Sequence, residues 1–346
     1  MANVELASGV ALHFEDCTVT VETEDAGIIA RLRRYFGDFA EDPKAGDRPR
    51  TLLRVIEEDP TAPEEGLIPW TEKGKDAFLD LPTGRFVRKM RTGVTISIQE
   101  DFWSSIWTMR GPVNRNFSQV INMIGNIFGL HLMDRGGAMI HASAVTDGQG
   151  RALAIMAQSG MGKSSVAVRL MEQGFDFISN DRVILEPPLG ADNIIAHGLP
   201  KLPRVNPGTL LDGENTRVVL DAAKRDRYEA LPREELWQVE DKYDLEVDRV
   251  LGRRWMLYGE LKAALVLNWR HGGEGISLQK LTPDQALAEL RHVRKDFGVF
   301  DVRLVSRSDS ALADTARRVA IYRVTGQADP ARLARELRHG LVPEFT

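Results

Sequence analysis

The chain has 346 residues, 43% of them hydrophobic and 27% charged, with a formal net charge of −5. This composition supports a substantial core and excludes wholesale disorder, and the acidic balance excludes a large nucleic-acid footprint while leaving room for a local basic pocket. The lone Cys17 rules out an internal disulfide, and no Cys/His cluster has zinc spacing.

The opening MANVELASGVALHFED lacks a basic region followed by an apolar run, and no apolar run in the chain approaches membrane-spanning length. A cytoplasmic protein without a membrane partner is therefore expected. At this length one large α/β domain plus a smaller one is the default, placed at 116–346 and 1–115. In the first, alternation predicts strands at Val10–Phe14 and Thr18–Glu22, and apolar spacing predicts a helix over Ile28–Phe36. EDPKAGDRPR (41–50) and DPTAPEEGLIPW (59–70) read as loops, with further strands at Thr51–Ile56 and Gly93–Ile98. This small α+β unit carries no recognisable chemistry, and substrate or partner recognition is the role left open to it.

From Asn116 to Met133 a helix is predicted, because Val120, Ile121, Ile124, Ile127, Phe128 and Leu132 form one apolar face and Gly136-Gly137 stop it. Ala138–Val145 then reads as one strand containing His141. The turn Asp147–Gly150 joins it tightly to a second strand, Ala152–Met156. That strand runs into AQSGMGKSS (157–165), which matches the phosphate-loop pattern G-x-x-x-x-G-K-[ST] except that Ala157 replaces the first glycine.

A phosphate loop needs a strand before it, a helix after it and small residues between, so that backbone N–H groups and the helix N-terminus face the anion. All three conditions hold. Ser159, Gly160 and Gly162 keep the loop compact, Ser164–Gln173 reads as a helix, and Gly174 ends it. The tolerance of Ala157 depends on a negative φ. The motif assigns Ser159, Gly160, Met161, Gly162, Lys163, Ser164 and Ser165 to phosphate binding, with Lys163 reaching the β- and γ-phosphates and Ser164 on Mg²⁺. Phe175–Ile178 reads as a strand ending at Ser179-Asn180-Asp181-Arg182, and a strand-end Asp181 is the candidate second metal ligand.

His141, AQSGMGKSS, Gly174 and SNDR together resemble the catalytic domain of the HPr kinase/phosphorylase family over 136–186. The other segments resemble the HPr-kinase-related subgroup. The resemblance implies a P-loop domain of the HPr kinase or phosphoenolpyruvate-carboxykinase type, ATP and Mg²⁺ as cofactors, and phosphorylation of a serine-type hydroxyl. Ser165 stands where the family has glutamate, and Asn180 replaces the first aspartate of its acidic pair. An amide cannot take a proton, so Asp181 or His141 covers that role or the reaction needs little base help. Loss of that carboxylate favours a kinase without the reverse phosphorolysis. Lys201 and Arg204, in LPKLPRVNP, are candidate phosphate-facing cations, and Lys242 lies in a second candidate loop or edge strand, 237–247.

Leu261–Leu267 reads as a core strand, and 283–297 and 328–338 as packed helices with charged surfaces. The expected activity is Mg-ATP-dependent transfer to a hydroxyl on a protein or a small molecule, with His141, Asp181 and Lys163 as catalytic residues. The alternative is a nucleotide-binding regulator without phosphotransfer. Neither nucleic acid nor membrane is an expected partner, and a homo-oligomer is left open.

Overall fold

Alternating hydrophobic residues build the first two strands, β1 (Ser8–Phe14) and β2 (Cys17–Thr23), which pair antiparallel with Leu12 opposite Val19. The computed structural model describes residues 8–44, 51–59, 65–100, 105–303 and 309–345. The parts of the two predicted loops at 45–50 and 60–64 lie outside the described residues. The first unit continues through α1 (Ala26–Phe36), β3 (Ala40–Glu41), β4 (Thr51–Glu57), β5 (Ile68–Pro69), β6 (Asp76–Leu81), β7 (Gly84–Lys89), β8 (Thr95–Glu100), β9 (Ser105–Gly111) and α2 (Phe117–Asp134).

These strands form one mixed sheet in the order β3-β1-β2-β4-β9-β8-β7-β6-β5. Register carries a single apolar row across it: Val21 opposite Leu53, Leu53 opposite Trp107, and Trp107 opposite Ile98, all almost fully buried. That face takes Ile28, Leu32 and Phe36 from α1, whose N-terminus is capped by the Asp25 carboxylate. The opposite face carries exposed Thr18, Arg54, Gln99 and Arg110, the pattern of a sheet wetted on one side.

The second unit comprises β10 (Ala138–Ile140), β11 (Ala142–Thr146), β12 (Arg151–Met156), α3 (Lys163–Glu172), β13 (Asp176–Ser179), β14 (Val183–Glu186), β15 (Ile195–Gly198) and β16 (Arg204–Val205). It continues with α4 (Pro207–Leu211), α5 (Ala222–Glu229), α6 (Arg233–Gln238), β17 (Tyr243–Asp244), α7 (Val247–Leu251), β18 (Tyr258–Leu267) and β19 (Ile276–Lys280). α8 (Pro283–His292), α9 (Ser310–Arg318), β20 (Ala320–Gly326) and α10 (Pro330–Arg338) complete it.

Its main sheet runs β10-β14-β15-β18-β12-β11-β13, with β20 beside β18 and β19 at the edge. Both faces are covered. Leu153, Ile155, Leu265 and Val324 pack with Val166, Leu170, Leu333 and Leu337 on one side. Ala152, Ala154, Ala264 and Ile321 pack with Ala286, Leu290, Leu312 and Ala316 on the other. Burial on both faces explains why these strands read as continuous apolar runs instead of alternating.

Contacts divide the chain after His131, and the described residues of Asp296–Ser306 group with the first unit. Three sequence expectations change. The single strand Ala138–Val145 is two, broken at His141, because the His141 N–H bonds to the Val293 carbonyl (2.7 Å) and leaves the ladder. The 237–247 stretch, expected as a loop or edge strand, holds a loop at 239–242 with Lys242 and the short strand β17, but begins in α6 and ends in α7. The 283–297 helix stops at His292; its Ala286 and Leu290 are buried, and 293–295 leave it to lie beside β10. Among the described residues no helix is long and apolar enough to cross a membrane.

Candidate functional site

β12 sits between β18 and β11, buried from Ala152 to Met156, and delivers its chain to residues 157–162 at the sheet edge. Gly160 (φ +81°) and Gly162 (φ +89°) occupy the left-handed region, which favours glycine. Ala157 does not: among the described non-glycine residues Glu15 alone has positive φ. Its methyl is buried in the core instead, so the missing glycine does not distort the turn. α3 begins directly at Lys163, and its first N–H groups have no intrahelical partner. Gln158, Ser159 and Gly160 are exposed, and Met161, Gly162, Ser164 and Ser165 half-buried. The Trp269 indole donates to the Met161 carbonyl (3.0 Å), bracing the loop from the end of β18.

The Lys163 side chain folds back on this loop. Its Nζ donates to the carbonyls of Ala157 (3.1 Å) and Gln158 (3.3 Å), and burial lowers its pKa to about 8 against the opposing pull of Asp181. Ser165 is tied elsewhere, its Oγ 2.6 Å from Thr209 Oγ1 in α4.

Strand direction brings the remaining residues to the same edge. Ala142 pairs with Met156, and Ala144 with Ser179, so β12 and β13 both end where β11 begins. His141, just before β11, and Asp181, just after β13, therefore meet at the loop end of β12. His141 Nδ1 lies 3.0 Å from the Asp181 carbonyl oxygen and 3.2 Å from its Oδ1. The hydrogen bond and charge of His141 outweigh desolvation and hold the Asp181 carboxyl at about 2. Both neighbours of Nδ1 are acceptors, so Nδ1 carries the hydrogen and Nε2 of a neutral ring keeps its lone pair.

Asn180 is locked by its own contacts. Its backbone carbonyl oxygen accepts from Ser143 Oγ (2.9 Å), and its side-chain Nδ2 donates to the Arg204 carbonyl (3.0 Å). Arg204 spends its guanidinium on Asp244 (3.3 Å) and on the Lys242 carbonyl (3.0 Å), joining β16 to β17. It thus holds the Lys242 segment. Lys201 is within electrostatic reach of Asp181, its pKa lowered by burial and by Arg204. Lys242 acts on both Asp181 and Lys163.

Sequence reading missed the stretch after α8. Gln158 Nε2 lies 3.5 Å from His292 Nε2, the Lys295 N–H bonds to the Met139 carbonyl (2.9 Å), and Lys295 acts electrostatically on Lys163. Nothing in the local sequence marks it, since its place follows from β10 many residues earlier. Among the described residues no group of three or more His, Cys, Asp and Glu could hold a metal.

No family model matches the chain, and no curated protein matches it in sequence. Among solved structures it is similar to the Hpr(Ser) kinase/phosphatase from Coxiella burnetii, at 8% identity and a TM-score of 0.31, over 59% of this chain and 87% of that one.

Proposed function

We propose that the second unit is a P-loop kinase domain of the HPr kinase type that transfers the γ-phosphoryl group of ATP to a hydroxyl, on a protein or a small molecule, in the cytoplasm. One observation carries this reading: a strand–loop–helix nest and an ordered His141–Asp181 pair share one sheet edge. ATP would supply the transferable group and Mg²⁺ the neutralisation of its developing charge. Backbone N–H groups of residues 158–163 and the Lys163 ammonium bind the phosphates. Ser164 and the ionised Asp181 fit a hard cation, being oxygen donors next to that nest.

His141 has the geometry of a proton acceptor. Asp181 fixes its ring and tautomer, and Nε2 is left to orient the incoming hydroxyl and receive its proton. Asn180 cannot share that task, which leaves His141 as the base. Transfer through a loose transition state asks chiefly for positioning and charge neutralisation, so one base is enough.

The test is incubation with γ-labelled ATP, candidate proteins and a metabolite pool. Label transfer that Lys163→Ala and Asp181→Asn each reduce at least about a hundredfold, within the range of charge-stabilising groups, supports the kinase. Nucleotide binding with no Lys163-dependent transfer would make the protein a regulator.

A further inference from the structure

Once the nucleotide's phosphates are assigned to the loop and Lys163, two lysines on neighbouring segments remain, Lys242 and Lys295. Lys242 is placed by its neighbours: Arg204 holds its carbonyl, Asp244 pairs with Arg204, and Asp241 Oδ2 accepts from the hydroxyls of Tyr228 (2.5 Å) and Tyr243 (2.6 Å). Lys295 is fixed from the other side, where 293–295 bond to the backbone of Met139 and His141. The two lysines therefore stand on segments that flank the His141–Asp181 pair, one anchored through Arg204 to Asn180 and one to β10.

Neither ammonium has a hydrogen bond or salt bridge among the described residues. Four acids around these segments are already engaged: Asp181 by His141, Asp241 by two tyrosines, Asp244 by Arg204, and Asp309 by Arg291 and Arg294. Backbone hydrogen bonds thus hold two exposed lysines on segments either side of the His141–Asp181 pair, an arrangement that favours an anion between them.

We propose that Lys242 and Lys295 form an anion subsite for the acceptor, so that the preferred acceptor carries a carboxylate or phosphate of its own beside the hydroxyl that is phosphorylated. This rests on the kinase reading above. A neutral polyol would leave both ammonium groups unmatched, whereas an acidic one neutralises them and is drawn to the edge occupied by His141.

Calorimetry tests it in two stages. The protein is first saturated with Mg-AMP-PNP, and failure to bind that nucleotide would defeat the kinase reading itself. The loaded protein is then titrated with glycerol 3-phosphate, with glycerate and with uncharged glycerol. At least one charged compound binds about tenfold or more tighter than glycerol, and the tighter of the two identifies the anion. Lys242→Gln and Lys295→Gln each cut that preference severalfold, the Arg replacements retain it, and added salt weakens it. Equal binding of all three compounds, or a preference that survives both Gln replacements, would overturn the subsite while leaving the kinase reading intact.

Discussion

Lys163 shows how one residue is set for two states. Burial lowers its pKa to about 8, and its proton is shared with the loop carbonyls of Ala157 and Gln158. Bound polyphosphate would favour the charged form, so above about pH 8 the lysine must take up a proton on binding. Nucleotide affinity therefore falls as pH rises past about 8. Calorimetry in buffers of different ionisation enthalpy would register the proton uptake, and Lys163→Ala would abolish both effects. For Asp181 the sign is opposite. Its pKa is depressed to about 2, first by the His141 hydrogen bond, so the stability it contributes is complete above the ordinary carboxylate value and is lost as pH falls through about 2. His141→Ala should move the Asp181 titration, followed by carboxyl carbon NMR, up toward about 4.

At the scale of elements, the site depends on how closely β13 and β15 approach. A Cβ on Gly198 would lie 2.1 Å from the Ile178 carbonyl oxygen, a backbone atom that cannot rotate away. Gly198→Ala is expected to cost about 1–3 kcal/mol in denaturant unfolding and to displace the end of β13 that carries Asp181, lowering transfer more than nucleotide binding. Such approaches are invisible in one sequence. What was legible were elements with strong local signals: β1, β2 and α1, the long apolar face of α2, and the loop between β12 and α3. The β6–β7 hairpin was not, because Arg85 and Arg88 are buried charges that break its alternation, Arg85 being satisfied by Asp80 (2.6 Å) and by the Val299 carbonyl (3.1 Å). As candidates, Lys163 could be named from the loop motif, Asp181 from its place after a strand, and His141 from the family resemblance. The break at His141 and the arrival of Lys295 could not, since both follow from hydrogen bonds between β10 and a segment that comes long after it.

On the scale of the whole molecule, the first unit is not a contiguous piece of chain. Trp107, at the centre of its apolar row, stacks on Phe300 (centroids 6.1 Å apart), and Lys89 lies 4.7 Å from the same ring. Phe300→Ala should therefore destabilise the N-terminal sheet by about 3 kcal/mol, seen as a lower midpoint in Trp fluorescence unfolding, with little change in nucleotide affinity. On the proposed function the second unit binds nucleotide, and everything else in that function depends on this grip. The most direct measurement is the calorimetric affinity for Mg-AMP-PNP of the full chain and of Lys163→Ala. A saturable one-to-one complex that the substitution weakens at least about tenfold is the predicted result. No binding to the full chain, or equal binding to both proteins, would contradict it.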